Sequence, residues 1–175
     1  MGEKVLIYGS PVLRKDSEHL TEKDNIAELA SSLFATLKNE GGIGLAAPQI
    51  GVLKSMFIIN SEPMVADDPS VELVKRIVIN PEIISFSNET SYFNEGCLSI
   101  PDIFEQVERP TDIVVKYFNE QMKPVKRTIK GLEARIFQHE FDHLGGVLFI
   151  DRVSTIRRTI LAAKLKRLQR LSKKL

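Results

Sequence analysis

Leu132-Glu-Ala-Arg-Ile-Phe-Gln-His-Glu-Phe-Asp-His-Leu144 sets two histidines four residues apart, with a glutamate directly after the first. Read as a helix opened by Gly131, the stretch projects His139 and His143 about 40° from one another, one turn apart on one face. Two imidazoles so placed can share one divalent metal. Glu140 points off that line, where it can reach a metal-bound water without competing for the metal, which is the place of a general base. The bland alternative is a surface helix carrying the pattern by chance. Three fixed positions, two of them in a residue type the chain uses only three times, make that alternative uncommon.

A catalytic metal needs a third protein ligand and an open position. Peptidases built on such a helix take the third ligand downstream. After His143 there is no further histidine, and the only carboxylate is Asp151. In the extended form His-Glu-x-x-His-x-x-Gly-x-x-His, Gly146 falls on the glycine but Phe149 occupies the last ligand position. A metalloendopeptidase therefore lacks the residue it needs. The upstream candidates are His19, scattered carboxylates and the single cysteine, Cys97, which can form no internal disulfide. Cys97 lies in Glu95-Gly-Cys-Leu-Ser99, where Gly96 lets backbone approach closely. Most free cysteines are small buried hydrophobes. A cysteine beside glycine on a loop, in a chain still short of a ligand, points instead to a His₂Cys site.

Working outward, apolar residues recur at helical spacing from Asn25 to Asn39 (Ile26, Leu29, Ala30, Leu33, Phe34, Leu37), after Asp24 or Asn25 as cap and before Glu40-Gly41-Gly42 as stop. Gly42-Ile-Gly-Leu-Ala-Ala-Pro-Gln49 is too broken for a regular element and reads as a tight turn before a strand over Ser55 to Asn60. Residues 61–72, acidic and twice interrupted by proline, read as an exposed loop. Further β-rich runs cover Arg76 to Asn80, Ile83 to Ser87, Asp112 to Phe118 and Val125 to Lys130. Helical patterns do not alternate with them, so antiparallel pairing is expected. Residues 155–175 predict a helix with an apolar stripe of Ile156, Ile160, Leu161, Leu165, Leu168, Leu171 and Leu175 against a basic face.

The fold class expected is α+β: antiparallel β-sheets packed around a central metal-binding helix, with an N-terminal helix and a C-terminal helix. A length of 175 residues suits a single domain, 1–175, in which 155–175 is a basic amphipathic helix. That helix holds eight of the 24 Lys/Arg and no acid, leaving sixteen bases against 23 acids in the body. Such asymmetry gives the two parts different partners. No apolar run approaches the ~20 residues that span a bilayer, and the N-terminus has neither a signal-peptide core nor an Arg-rich transit character. The expectation is a soluble, cytoplasmic protein with no membrane partner.

Three segments, Gly42 to Gln49, Glu95 to Ser99 and Gln138 to His143, together resemble the three signature motifs of the peptide deformylases, in order and at similar separations. The resemblance runs from Tyr8-Gly-Ser-Pro-Val-Leu-Arg14 to the C-terminal helix. It implies a bacterial, cytoplasmic metallohydrolase acting on a linear amide: removal of the formyl group from the N-terminal formyl-methionine of newly made polypeptides. Position by position it implies Cys97, His139 and His143 as metal ligands and Glu140 as general acid/base acting on a metal-bound water. Gln49 and the backbone N–H of Leu98 become oxyanion donors, and Gly44 a backbone contact to substrate. Ile43, Glu95 and Leu132 fall near the pocket for the methionine side chain. The family's metal is usually Fe²⁺, with Zn²⁺, Ni²⁺ or Co²⁺ able to replace it. Its partners are the N-formyl-methionyl peptide and, through the basic helix 155–175, the ribosome. The same helix can be read instead as simply packing on the acidic body. A rival of another class is a ribosome-binding protein whose metal site is structural. The chain departs from many members at Gly145, at residues 61–72 and at Phe104, where some carry an arginine near the substrate entrance.

Overall fold

The computed structural model describes residues 2–174; Leu175 of the predicted stripe lies outside them. Met56–Asn60 (β2) shows why the core forms where it does. Met56 and Ile58 face one way, Phe57 and Ile59 the other, and all four are fully buried. A strand apolar on both sides is stable only when both are covered. Leu33 and Leu37 of Ile26–Glu40 (α1) cover the first side, with Leu45 and Ile79. Ala134 and Phe137 of Gly131–Leu144 (α3) cover the second, with Val78, Ile113, Val115 and Ile129. There the rings of Phe57 and Phe137 meet edge to face, centroids 5.0 Å apart. α1 starts at Asn25, whose side chain accepts from the Glu28 N–H, and stops at Gly41, whose φ of 72° only glycine adopts without strain.

The sheet has five antiparallel strands in the order Gly44–Ala46 (β1), β2, Lys75–Phe86 (β3), Asp112–Phe118 (β6) and Pro124–Lys130 (β7). Thr90–Cys97 (β4) and Ile100–Pro110 (β5) form a separate hairpin. The metal-motif helix α3 packs among β1, β2, β5, β6 and β7, so it is central, as the α+β expectation required.

Several local readings change. Gly44–Ala46, expected as part of a turn, is an edge strand paired with Phe57 to Ile59. Residues 61–72 contain a short helix, Glu62–Asp67 (α2), started by Pro63 and tied down by Ser61, whose Oγ accepts from Val74 N (2.7 Å) and donates to the Glu72 carbonyl (2.8 Å). The two runs on either side of Asn80-Pro81 are one strand, β3, bent by irregular pairing. Asn80 sits at φ 47° with its amide clamped to both backbone groups of Leu20. The β4–β5 hairpin has no counterpart in the sequence expectation. β5 does alternate, with Ile103, Glu105, Val107 and Arg109 inward, but two of these four are charged and paired inside, so hydropathy hides the period.

The C-terminal helix, Thr155–Ser172 (α4), buries Leu161, Leu165 and Leu168 against Ile103, Val107, Leu148, Phe149 and Ile150. The predicted stripe splits here. Ile156, Ile160 and Leu171 are exposed, because consecutive residues diverge by about 100° and one face cannot hold both Ile160 and Leu161. Arg157 reaches back to the inward Glu105 with two hydrogen bonds of 2.7 and 2.8 Å.

Candidate metal centre

His139 and His143 project from one face of α3 with ring centroids 5.2 Å apart. Cys97 enters from the end of β4, where the pairing register shifts between Gly96 and Cys97 and frees the thiol from the ladder. The Sγ of Cys97 lies 3.3 Å from His143 Nε2, and ligand atoms of Cys97, His139 and His143 all fall within 4.8 Å of one another. Cations bonded to nitrogen at ~2.1 Å and to sulfur at ~2.3 Å hold such atoms about 3.5 Å apart, so a thiolate and two imidazoles gathered this closely suit a transition metal or zinc. His19, the other upstream histidine, lies elsewhere, in a surface recess with Lys116 and Tyr117.

One ligand is oriented from behind. His139 Nδ1 donates to Glu95 Oε2 at 2.9 Å, which leaves Nε2 to face the metal position. Glu95 is 4% exposed and fully engaged: Arg109 forks onto both its oxygens at 2.7 and 2.9 Å, and Arg135 donates to Oε1 at 3.0 Å. Burial would raise the Glu95 carboxyl, but the hydrogen bonds from Arg109 and His139 outweigh it and hold the group far below the usual carboxylate range. Arg109 also donates to Asp142 Oδ2 at 2.8 Å, and Asp142 in turn receives Arg152. Glu95 lines the cavity, yet its carboxylate belongs to this network. Arg109, Arg135 and Asp142 escaped the sequence reading; only the position of Asp142 inside the His-Glu-Phe-Asp-His segment hinted at it.

Arg109→Met should therefore cost stability. Two buried carboxylates lose a partner, but Glu95 keeps Arg135 and Asp142 keeps Arg152, so about 3 kcal/mol is expected, the low end for a broken buried pair. A denaturant midpoint unchanged from the parent would show that the network contributes nothing net.

Glu140 is buried beside the ligands, its Oε2 without a hydrogen-bond partner in the protein. Burial first, then repulsion from Glu95 and Asp142, against attraction by His139 and Arg109, pushes its pKa up to about 7. A carboxyl so poised in a cleft can both take and give a proton at neutral pH. Gly44 makes room for it, since a Cβ there would meet Glu140 Oε1 at 2.5 Å. Burial and the charges of His139 and Arg109 depress His143, whereas at His139 the hydrogen bonds to Cys97 and Glu95 overcome burial and raise the imidazolium well above its ordinary value.

Gln49 lies in the 3₁₀ turn Ala47–Ile50, in the segment the sequence assigned to a tight turn. Its Oε1 accepts from the Ala46 N–H at 2.8 Å, so its amino group must face the centre, 3.5 Å from Cys97 Sγ and 3.2 Å from Ser99 Oγ. Leu98 follows Cys97 directly at the same rim. A cavity of about 480 Å³ opens over these groups, lined also by Ile43, Gly44 and Leu132. All ten residues singled out by the sequence thus meet at one site: the three ligand candidates, Glu140, Gln49, Leu98, Ile43, Gly44, Glu95 and Leu132.

The chain as a whole is similar to proteins of one family. The polypeptide deformylase profile matches residues 3–159. The peptide deformylase of Thermotoga sp. strain RQ2 is 40% identical over 172 residues, covering 98% of this chain and 99% of its own. A crystal structure of peptide deformylase from Plasmodium falciparum superposes with TM-score 0.88 at 36% identity, 97% of each chain being covered. The class I type b peptide deformylase of Acinetobacter baumannii, crystallised with Met-Ala-Ser bound, gives TM-score 0.82 at 36% identity over 87% of this chain and 99% of that one.

Proposed function

We propose, for a chain that belongs to the polypeptide deformylase family and is thus an enzyme removing the N-terminal formyl group of nascent peptides, that the reaction is metal-dependent and run by the residues gathered around Glu140. The observation that carries this reading is the meeting of Cys97, His139 and His143 beside a buried carboxyl that has one oxygen unpartnered. A divalent cation held by those three side chains supplies the Lewis acidity that makes water nucleophilic near neutral pH. Fe²⁺ is the metal the family resemblance favours, and Zn²⁺, Ni²⁺ or Co²⁺ suit the same donors.

The chain's own groups do the rest. Glu140 accepts the proton of the attacking water and returns it to the leaving amine, for which a pKa near 7 fits both directions. Gln49 Nε2 and the Leu98 N–H donate to the oxygen that becomes negative as the formyl carbon turns tetrahedral, each worth ~3 kcal/mol in a water-poor site. Ile43 and Leu132 offer apolar wall to the methionine side chain. Glu95 acts through His139, and Gly44, on an edge strand, offers backbone to an extended peptide. The exposed bases of α4 and of the two residues after it, from Arg158 to Lys174, suit docking to ribosomal RNA in the cytoplasm, while the three buried leucines and Arg157 fasten the helix to the body.

Formate release from formyl-Met-Ala-Ser, with none from the internal amides of the unformylated peptide, is the expected result. Cleavage of internal bonds instead would return the site to the peptidases.

Metal binding should weaken as pH falls. Without metal, burial is outweighed by the hydrogen bonds to Cys97 and Glu95, which raise the His139 imidazolium above its ordinary value, so a cation competes with a proton there. Affinity should then fall as pH is lowered from about 8 to about 6, because the ligand must be free of its proton to bind. Competition with a chromophoric chelator measures it, and an affinity flat over that range contradicts the account.

A further inference from the structure

Behind His139 the buried charges form a line that comes out at the surface. His139 Nδ1 donates to Glu95, Arg109 forks onto Glu95 and reaches on to Asp142, and Arg152 forks onto Asp142 through Nε and Nη2. Glu95, Arg109 and Asp142 are buried, whereas the side chain of Arg152 is 43% exposed. Arg152 follows the 3₁₀ turn Phe149–Asp151 and stands two residues before Ser154, whose side chain accepts from the Arg157 N–H and caps α4. The foot of the surface helix is thus joined to a metal-ligand candidate through Arg152, Asp142, Arg109 and Glu95. None of Arg152, Asp142 and Arg109 lines the cavity, so this line runs behind the site and away from the substrate.

Arg109 is the shared member. Its Nε and Nη2 go to Glu95 and its Nη1 to Asp142 Oδ2, so its position depends on how strongly each carboxylate draws it. Asp142 Oδ1 has one donor among the described residues, Arg152. Without Arg152 that oxygen would be buried and unpartnered, a cost that a movement of Arg109 toward Asp142 relieves. Such a movement loosens the fork on Glu95, and Glu95 Oε2 is the acceptor that orients the ring of His139. Arg135 steadies only the other oxygen, Oε1.

We propose that Arg152 is a positioning residue for the reaction: by satisfying Asp142 it keeps Arg109 on Glu95, and so holds His139 with Nε2 facing the metal position. The kinetic part of this inference rests on the deformylase reading. A second pair in the same molecule supplies the comparison. Arg157, likewise an exposed arginine, forks onto the buried Glu105 at 2.7 and 2.8 Å. Glu105 has no other side-chain partner among the described residues, and no hydrogen bond leads from it to His139. Losing Arg157 therefore removes a pair of the same kind without touching the line to the metal.

The test compares Arg152→Ala, Arg152→Lys and Arg157→Ala with the parent, each as the full chain loaded with Co²⁺, whose visible absorption reports ligand geometry. Arg152→Ala should change that spectrum. It should also weaken Co²⁺ binding, measured against a chromophoric chelator, by about threefold to tenfold, below the ~10- to 100-fold expected for a group bonded directly to a ligand. With Co²⁺ saturating, kcat for formyl-Met-Ala-Ser should fall by a similar factor while KM stays near the parent's. Arg152→Lys, which keeps the charge but cannot fork, should recover part of each loss. Arg157→Ala should lower the denaturant midpoint and leave spectrum, affinity and kcat at the parent's values. A parental spectrum, affinity and kcat in Arg152→Ala overturn the inference, and so does an equal change in Arg157→Ala, which would mark a general loosening of the fold. No formate release by the parent overturns the deformylase reading instead, and the spectrum and affinity of the variants then decide whether Arg152 positions His139.

Discussion

Glu140→Gln is expected to lower the rate of deformylation by about 10³-fold or more while the protein keeps its metal. Glutamine matches the side chain in shape, so Gly44 still fits against it, and the ligand cluster of Cys97, His139 and His143 is unaltered. What disappears is the capacity to take a proton from water and hand it to the amine. The same substitution separates catalysis from folding, because Glu140 forms no ion pair among the described residues whose loss would destabilise the protein. Its folded pKa of about 7 lies above the ordinary 4.5, so the neutral form is favoured in the fold. In metal-free protein that preference is harmless below pH 4.5 and becomes a penalty growing as pH rises to about 7, on the order of 3 kcal/mol. Glutamine cannot ionise, so metal-free Glu140→Gln should be at least as stable as the parent at pH 8. Formate release, bound metal and denaturant midpoints check the three parts. A rate near the parent's with metal in place would remove Glu140 from the mechanism.

Cys97→Ser is expected to lose metal and activity together. A serine hydroxyl stays protonated near neutral pH, so the site would exchange a thiolate for a neutral, harder oxygen. Removing groups that merely support metal ligands already costs 10- to 100-fold in affinity, and losing a ligand should cost at least about 100-fold. The fold should survive, because Cys97 is only partly buried and its thiol touches only the site's own groups, Gln49, His139 and His143. Metal quantified after gel filtration, beside formate release, is the readout. Unchanged metal content would rule out Cys97 as a ligand and turn attention to a carboxylate.

The parts of this molecule that were legible in its sequence are those where periodicity or scarce chemistry stands out locally. α1 and α3 fall within a residue of their expected ends, because each has a clear apolar period and a glycine stop. With no ligand downstream of His143 the candidates lie upstream, where Cys97 stands out beside Gly96 from His19 and the scattered carboxylates, and the structure brings Cys97, His139 and His143 together. The β4–β5 hairpin stayed hidden because its inward positions include Glu105 and Arg109, whose burial depends on partners 52 and 33 residues away in the chain. The support behind His139 was invisible for the same reason. Glu95 reads in sequence only as a neighbour of Cys97, and nothing local announces that Arg109 and Arg135 will close on its carboxylate. In α4 the leucines were visible, but which of two adjacent apolar lines would be buried is decided by β5 and the segment 148–150.

The central claim, a single metal on Cys97, His139 and His143 driving deformylation through Glu140, is tested most directly by reconstitution. Protein stripped of metal under anaerobic conditions is titrated with Fe²⁺ or Zn²⁺, and the initial rate of formate release from formyl-Met-Ala-Ser is followed against metal bound per chain. The account predicts negligible activity in the stripped protein, a linear rise and a break at one metal per chain. Full formate release by stripped protein, or a rate indifferent to the metal restored, would contradict it.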